Sequence, residues 1–359
     1  MHCLLTDDQS EAFLLEELRR SHPTGTHSQI APRWVRSEAP LDVPLAFCRQ
    51  ALPNATEVSA ASINAWATLL LEATINALPQ DQPWQLQVVA CYGLAHEGLS
   101  RCQFIQKAFH ERMQKKRRAL LRTLQGEALP LSATTSLVQL YLTSPESGYL
   151  SVSVASLPLD CRRNVWSFDK GELPIASDKA APSRAFAKLV ESEQRLGIRI
   201  EKGDTVVDLG ACPGSWSYVA VHRGAKVISV DRSPLRDDLM EHPRVTFIQG
   251  DAFKYTPPQP VDWLICDVIA TPDRSIALLL DWVKAKRCRR FIVSLKFKGS
   301  EEYAKIDQLK AELPTLCSDF YLARLCANKN EVCAFGVVES RNQRRICDTS
   351  GLPLTRPPD

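Results

Sequence analysis

Between about residue 181 and residue 338, strand-like and helix-like segments alternate regularly along this chain of 359 residues. Short apolar runs, such as 205–210 and 290–296, are separated by stretches whose apolar residues recur with helical spacing. Alternation of this kind builds a mostly parallel sheet with helices on both faces. We therefore predict an α/β domain with a Rossmann-like sheet. Its last two strands, near 319–326 and 331–338, have no long helix between them and are expected to pair antiparallel at one edge.

The residues before this domain are predicted to mix helices and strands. Helical periodicity between 62 and 78, and again over about 101–124, surrounds an alternating polar and apolar segment at 84–90. Two further strand-like runs flank Pro145-Glu146-Ser147-Gly148, which predicts a hairpin. These elements indicate a small α+β module. Residues 156–180 contain several prolines and little periodicity, and they are predicted to be a linker.

The composition excludes several classes of protein. A hydrophobic content of 45% with 24% charged residues is typical of a globular protein, and no apolar run reaches the length that crosses a bilayer. The N-terminal residues become acidic at Asp7 and Asp8 without a basic region, so a secretory signal is not expected. The twelve cysteines are scattered, without a CxxC pair or zinc spacing. We predict a cytoplasmic protein with free thiols, no metal site and no membrane segment.

The net charge of +3 is small, but the basic residues are clustered. The densest part of one cluster, at the end of the basic helix, consists of four consecutive residues: Lys115, Lys116, Arg117 and Arg118. A second cluster lies in the C-terminal tail, at Arg341, Arg344 and Arg345. Such clusters create a positive potential that suits phosphate groups. A solvated helix face is the common alternative, so RNA binding by these residues is a hypothesis that depends on the rest of the chain.

The first strand of the α/β domain runs into a turn of small residues and then a helix. Gly210 and Gly214 in this turn are predicted to let the backbone approach a ligand, with the N–H groups of the helix start facing it. The spacing differs from GxGxxG, which argues against a dinucleotide. Asp208, Asp231 and Asp251 lie at the ends of three successive strands, where parallel sheets bind ligands. Capping of helices is the alternative for these acids, but together they predict a nucleotide-like cofactor.

This layout resembles the class I S-adenosylmethionine-dependent methyltransferases. The run Asp-Leu-Gly-Ala-Cys-Pro-Gly-Ser-Trp-Ser at 208–217 is similar to the first motif of the FtsJ-type ribose 2′-O-methyltransferases, with a serine where a second glycine is common. The resemblance implies S-adenosylmethionine as cofactor, with Asp231 on its ribose, Asp251 on its adenine and Asp267 at its sulfonium end. Five turn residues would surround the methionine part: Cys212, Pro213, Gly214, Ser215 and Trp216.

Four residues at strand ends or on a helix match the K-D-K-E tetrad of the same family: Lys188, Asp267, Lys296 and Glu331. A ribose hydroxyl needs a base at neutral pH, and a lysine can serve when a neighbouring cation or burial lowers its pKa. A lone lysine at a strand end is usually a surface residue. The resemblance implies Lys296 as the general base and Lys188 as the cation that lowers its pKa. Asp267 and Glu331 would orient the lysines.

Two further segments are similar to the RlmM family, bacterial methyltransferases that act on a cytidine of 23S ribosomal RNA. They are Ala181-Pro182-Ser183-Arg184, shortly before Lys188, and Cys266-Asp267-Val268. That family carries an N-terminal THUMP-type RNA-binding module and a ferredoxin-like piece, and its partner is ribosomal RNA. The resemblance implies five regions: a ferredoxin-like segment at 1–55, a THUMP-like module at 56–155, the linker at 156–180, the Rossmann-like methyltransferase domain at 181–340 and a basic tail at 341–359.

Other functions remain open on the residues alone. Another RNA, such as transfer RNA, is an alternative substrate. Methylation of an RNA base fits less well, because the turn at 267–272 lacks the (D/N)PP(Y/F) pattern. Carbon-5 methylation needs a cysteine nucleophile, for which Cys212 and Cys266 are available, but Cys266 should face away from Asp267 on its strand. A non-catalytic RNA-binding protein that keeps the fold is the alternative outside enzymes.

Overall fold

The computed structural model describes residues 1–8, 10–93, 97–126, 134–155, 157–173 and 175–338. Within these ranges the chain forms two sheets of four strands and one of seven. None of the helices in these ranges is both long and apolar enough to cross a membrane. The basic tail predicted at 341–359 lies outside the described residues.

The first sheet is antiparallel and has the order β2-β3-β1-β4, with one helix packed against it. Its elements are β1 (His2–Leu5), α1 (Glu11–Ser21), β2 (His27–Ala31), β3 (Trp34–Ser37) and β4 (Gln50–Leu52). A ferredoxin-like unit has the order β-α-β-β-α-β. The second helix of that pattern does not occur among the described residues of the segment 1–55, and its ferredoxin-like character stays a prediction.

The second sheet has the order β5-β8-β7-β6 and is covered by two long helices. Its elements are β5 (Thr56–Ser59), α2 (Ile63–Ala77), β6 (Trp84–Ala90), α3 (Leu99–Lys116), α4 (Arg118–Leu121), β7 (Ser136–Leu142) and β8 (Ser147–Ser153). The predicted hairpin is formed by β7 and β8, which pair antiparallel. The prediction of a turn extending to Gly148 is wrong, because β8 already begins at Ser147.

The basic helix predicted over 101–124 is interrupted. Arg117 has a φ of −149°, so the helix ends at Lys116 and a single turn follows. The indole of Trp84 donates a hydrogen bond to the carbonyl of Leu120 (2.8 Å), and Leu120 is buried. This hydrogen bond places Leu120 beside Trp84 at the start of β6, a position that a straight continuation of α3 would not reach. The prediction of one continuous helix is therefore wrong.

The middle of the predicted linker is mostly buried, between residues 161 and 168, whereas residues 176–180 are exposed. It contains a short helix, α5 (Leu159–Arg162), and Val165, Trp166 and Phe168 are buried. The backbone carbonyl of Trp166 accepts hydrogen bonds from Gln50 (2.7 Å) and from Gln87 (3.0 Å). Since these glutamines belong to the first and second sheets, the linker joins the two sheets through a buried polar network.

The third sheet has the order β11-β10-β9-β12-β13-β15-β14. Its strands are β9 (Thr205–Leu209), β10 (Lys226–Asp231), β11 (Val245–Gln249), β12 (Val261–Cys266), β13 (Cys288–Lys296), β14 (Asp319–Ala323) and β15 (Glu331–Val337). Its helices are α6 (Phe186–Leu196), α7 (Ser215–His222), α8 (Asp237–Met240), α9 (Pro272–Lys284) and α10 (Ile306–Leu316).

This sheet confirms the predicted Rossmann-like fold. Strands β9 to β13 are parallel, and β15 runs antiparallel between β13 and β14. The chain first builds outward from β9 to β11 and then crosses back to place β12 beside β9. Ligands bind at such a reversal, beyond the carboxyl ends of the strands. The site is therefore expected between the ends of β9 and β12.

The helices that flank the site begin later or are shorter than predicted. The helix expected at 183–196 begins at Phe186 and ends at Leu196, and Gly197, with a φ of 69°, is its C-cap. The helix expected at 234–241 is a single turn. The helix expected at 301–313 starts as a 3-10 helix (Ser300–Lys305) before α10. Helix α9 starts with Pro272, a residue suited to the first helical turn.

Candidate active site

A cavity of about 490 Å³ opens at the carboxyl ends of β9, β10 and β12. Its wall contains eight of the nine residues predicted to bind the cofactor: Gly210, Cys212, Pro213, Ser215, Trp216, Asp231, Asp251 and Asp267. It also contains Lys296 from the predicted tetrad. The prediction from strand ends therefore located the cavity.

Gly214 is the exception, and both glycines of the turn have a backbone conformation that favours glycine. Gly214 has a φ of +106°, and a Cβ there would lie 2.3 Å from a methyl carbon of Leu239. Gly210 has a φ of +73°, and its Cβ would lie 2.8 Å from the Cα of Val268. The positive φ disfavours a side chain at both positions, and at Gly210 a Cβ would also meet the backbone of Val268.

The carboxylate of Asp231 organises the turn after β9. One oxygen accepts a hydrogen bond from the backbone N–H of Cys212 (3.0 Å), and the other from the N–H of Ser233 (2.9 Å). Each oxygen keeps a lone pair for a hydroxyl group of a ligand. Asp231 thus holds the turn in place and can still accept hydrogen bonds in the cavity.

Asp251 occupies the next strand end as an ionised group. The backbone N–H of Phe253 donates to it (3.0 Å), and Arg232 contacts its other oxygen (3.0 Å). These interactions lower the pKa of Asp251 below its ordinary value, with the backbone hydrogen bond as the main cause. The group is a hydrogen-bond acceptor at neutral pH.

Ser215 and Trp216 join the turn to the helix that carries Lys188. The hydroxyl groups of Ser183 and Ser215 lie 2.7 Å apart. The indole of Trp216 donates to the carbonyl of Ala185 (2.8 Å), just before α6. The cofactor turn and the start of α6 are therefore fixed to one another.

Asp208, the next-to-last residue of β9, is a buried acid. It accepts a hydrogen bond from the hydroxyl of Ser217 (2.7 Å), which in turn contacts the hydroxyl of Ser229 (2.7 Å). Burial raises the pKa of Asp208 from 3.8 to about 7, although the bond from Ser217 opposes the shift. The ionised form is therefore disfavoured in the folded protein.

We expect Asp208→Asn to stabilise the protein at pH 8 and to change little at pH 4. The folded-state pKa of Asp208 is raised, so the wild type loses stability as pH rises from about 4 to about 7, while the amide is insensitive. The measurement is the melting temperature as a function of pH, with Asp237→Asn at an exposed carboxylate as the control. Parallel curves for Asp208→Asn and wild type would contradict the expectation.

The structure brings the four predicted tetrad residues together. The Nζ atom of Lys188 lies 2.7 Å from each carboxylate oxygen of Asp267 and 3.0 Å from Glu331. The Nζ atom of Lys296 donates to the backbone carbonyl of Asp267 (2.7 Å) and lies 3.2 Å from its carboxylate. Lys296 and Glu331 are paired in the register of β13 and β15. Asp267 therefore contacts both amines.

The two lysines have different surroundings. Lys188 is 5% exposed and is absent from the cavity wall, whereas the side chain of Lys296 is 21% exposed and lines the cavity. Burial acts to lower the pKa of Lys188, but the charges of Asp267 and Glu331 outweigh it and raise the pKa above its ordinary value. Lys188 is consequently held as an ammonium group behind the cavity, and Lys296 is the lysine of the pair that can meet a substrate.

A second cavity, of about 420 Å³, adjoins the first and shares Lys296, Ile269 and Arg274 with it. Phe297 and Lys298 line its other side. Lys296 therefore lines both cavities.

Sequence reasoning missed three residues near this boundary. The guanidinium of Arg274 lies 3.9 Å from the ring centre of Phe253, and both line the first cavity. Asn328 donates to Glu331 (3.0 Å). Arg274 and Phe253 follow the carboxyl ends of β12 and β11, which could have signalled their place at the strand ends, whereas Asn328 lies in a loop without such a signal.

The two candidate cysteine nucleophiles are not activated. Burial raises the pKa of Cys266 to about 12. Burial and the charge of Asp231 also raise the pKa of Cys212. Both thiols stay protonated at neutral pH, which argues against a thiolate mechanism. Across the part of the chain that the structure describes, no group of three or more His, Cys, Asp or Glu residues could hold a metal ion.

Comparison with known proteins identifies relatives of the third sheet and its helices. Residues 181–337 match the family model of the FtsJ-like methyltransferases. The Ribosomal RNA large subunit methyltransferase M of Stutzerimonas stutzeri (strain A1501) is 38% identical over 137 residues, which are 36% of this chain and 39% of that protein. The protein of the same name from Marinomonas sp. (strain MWYL1) is 36% identical over 172 residues, 46% of this chain and 47% of that protein.

The matched segments thus span less than half the length of these curated relatives. Among solved structures, TrmN from Thermus thermophilus aligns over 94% of this chain and 99% of its own, with 13% identity. Its TM-score of 0.31 is too low to bear on fold or function.

Proposed function

Because residues 181–337 form a domain of the FtsJ-like methyltransferase family, we propose that this protein methylates a ribose 2′-hydroxyl of RNA. The proposed target is a nucleotide of large-subunit ribosomal RNA, the substrate class named for the relatives that share 36% to 38% identity. The observation that carries the proposal is the cluster of Lys188, Asp267, Lys296 and Glu331 beside the cavity.

The methyl donor of this family is S-adenosylmethionine, which supplies a methyl group on a positively charged sulfur. The cavity residues fit such a molecule. Asp231 has lone pairs free for ribose hydroxyls, Asp251 is an ionised acceptor for an amino group, and Asp267 adds negative charge near Lys296. Ala252 and Phe253 add apolar surface for an adenine ring.

In this proposal, the Nζ atom of Lys296 accepts the proton of the 2′-hydroxyl group. An uncharged amine is required for that step. Asp267 holds both amines in place through its carboxylate and its backbone carbonyl. The acceptor ribose enters through the second cavity, which Lys296 shares, and most of the rate enhancement comes from positioning.

The proposal is tested by incubating the purified protein with labelled S-adenosylmethionine and unmodified large-subunit ribosomal RNA. We expect a 2′-O-methylated nucleotide in the nuclease digest, identified by mass spectrometry. Transfer RNA and small-subunit ribosomal RNA serve as competing substrates. A methylated base in place of a methylated ribose, or no transfer to any RNA, would refute the proposal.

We also propose that the module at 56–155 is THUMP-like and binds RNA through the end of the basic helix. Four cations are exposed where α3 meets α4: Lys115, Lys116, Arg117 and Arg118. None of them has an ion pair among the described residues. The helix break at Arg117 places Lys115 and Lys116 at the end of α3 and Arg118 at the start of α4. All of these side chains are exposed, so they can contact phosphate groups.

Replacing these four residues with alanine is expected to weaken RNA binding and to flatten its dependence on salt. Each lost phosphate contact reduces the slope of log K against log salt by about 0.7 to 0.9. The measurement is the dissociation constant at several salt concentrations. The matched control replaces four exposed cations of the other domain, Lys202, Lys226, Arg244 and Lys284. An equal slope of log K against log salt in the two quadruple variants would mean that the end of α3 is a solvated helix surface that does not contact RNA.

A further inference from the structure

An aromatic cluster joins the first sheet to the proposed active site. We use this name for Phe13 of α1, Phe47 before β4, Phe297 after β13 and Tyr303 of the 3-10 helix. The ring of Tyr303 lies 5.0 Å from Phe13, 4.7 Å from Phe47 and 5.0 Å from Phe297, between ring centres. Tyr303 is buried among them. Phe13 and Phe47 of the N-terminal region therefore pack on Tyr303, which in turn packs on Phe297, the residue that follows Lys296 at the end of β13.

The hydroxyl group of Tyr303 is connected to both strands that carry the site. It donates to the side-chain carbonyl of Asn330, and the amide nitrogen of Asn330 donates to the carbonyl of Phe297 (2.7 Å). The N–H of Phe297 donates back to the carbonyl of Asn330 (3.0 Å). Phe297 directly follows Lys296, and Asn330 directly precedes Glu331. Tyr303 thus adds a side-chain hydrogen bond at the end of the β13–β15 pair where Lys296 and Glu331 lie.

The other half of the cluster is fixed by a buried carboxylate. Glu17 of α1 is fully buried, and it accepts hydrogen bonds from the backbone N–H groups of Ala46 (2.8 Å) and Phe47 (3.2 Å). It also pairs with Lys310 of α10 (2.7 Å). The side chains of Lys310 and Glu17 are 7% and 0% exposed, and their contact connects α1 to the helix that follows Tyr303.

We propose that Tyr303 and Asn330 are positioning residues that set the geometry of Lys296 and Glu331, and that residues 1–52 influence the reaction through the aromatic cluster. The inference rests on the proposed methyl transfer. Displacements of about 1 Å in a reacting group cost up to roughly 100-fold in rate. Without the hydrogen bonds of Tyr303 and Asn330, the ends of β13 and β15 can shift by such distances, while the cofactor-binding residues at the ends of β9 and β10 keep their positions.

The test compares Tyr303→Phe, Asn330→Ala and the double variant with wild type. The phenylalanine keeps the aromatic packing and removes only the hydroxyl group. We expect kcat to fall roughly 10-fold in each single variant, with KM for RNA and the dissociation constant of the cofactor unchanged within about twofold. The double variant should lose little more than one single variant, because the two residues act as a unit.

The matched control is Tyr321→Phe, which removes a hydroxyl group that donates to Asp319 (3.3 Å) on the edge strand. It should leave kcat unchanged. A value of kcat in Tyr303→Phe equal to that of Tyr321→Phe, or losses that simply add in the double variant, would overturn the positioning role. Phe13→Leu tests the claim that residues 1–52 influence the reaction through the aromatic cluster. A kcat equal to that of wild type in this variant would reject that claim.

Amide hydrogen exchange separates this inference from the proposed function. Exchange of the Phe297 amide should be faster in Tyr303→Phe than in wild type, whether or not the protein methylates RNA. An unchanged exchange rate refutes the positioning role of Tyr303 on its own. A wild-type protein that fails to methylate RNA while the exchange rate still rises refutes only the proposed function.

Discussion

Lys296→Ala is expected to lower kcat for methyl transfer by roughly 100- to 10,000-fold, the usual contribution of a general base. Lys296 lines both cavities and donates a hydrogen bond to the backbone carbonyl of Asp267 (2.7 Å), so its amine lies where the proposed reaction needs a base. Cofactor affinity should change little, because the other cavity residues remain. The measurement combines single-turnover transfer with equilibrium binding of S-adenosylmethionine.

The control for this variant is Lys226→Ala, an exposed lysine at the opposite end of the sheet. A small primary amine such as ethylamine should partly restore transfer in Lys296→Ala, and more so at higher pH, where it is neutral. Turnover equal to that of wild type, or loss of cofactor binding together with loss of transfer, would rule out the role of Lys296 as base.

Lys188→Met is expected to abolish transfer and also to destabilise the folded protein by about 3 to 5 kcal/mol, the usual effect of removing one partner from a buried ion pair. The side chain of Lys188 is 6% exposed and touches Asp267 and Glu331, whose side chains are 17% and 18% exposed. Without the ammonium group, two poorly hydrated carboxylates face each other. The measurement is chemical denaturation followed by the fluorescence of the buried tryptophans.

The pH dependence of this effect follows from the raised pKa of Lys188. A raised folded-state pKa contributes stability that is fully present below the unfolded-state value and is lost as pH rises through the folded-state value. The difference between wild type and Lys188→Met should therefore stay constant around neutral pH and shrink only above about 10.5. Lys188→Met combined with Glu331→Gln should recover part of the lost stability, and a double variant no more stable than the single one would contradict the ion-pair explanation.

Much of the α/β domain could be predicted from local patterns. The regular change from period-2 or apolar strands to helical period predicted the parallel sheet, and the missing helix between the last two strands predicted their antiparallel pairing. Asp231, Asp251 and Lys296 were located because the carboxyl ends of parallel strands meet at one edge. That these residues share one edge of the sheet could be predicted without any knowledge of contacts between distant residues.

Other features depend on residues far apart in the sequence and were predicted wrongly or missed. The helix break at Arg117 follows from a bond between Trp84 and Leu120. The linker is buried because Gln50 and Gln87 bind its backbone. Periodicity carries no information about such contacts.

The sequence by itself determined the type of fold and the edge of the sheet where chemistry takes place, because hydrophobic period and strand ends are local properties. Only the tertiary structure decided that Lys188 is buried while Lys296 faces two cavities, and that Tyr303 links the N-terminal region to both strands of the site. The physical reason is that folding brings distant groups together around an amine. Those groups decide how far the amine is buried, and its charge and position depend on that burial.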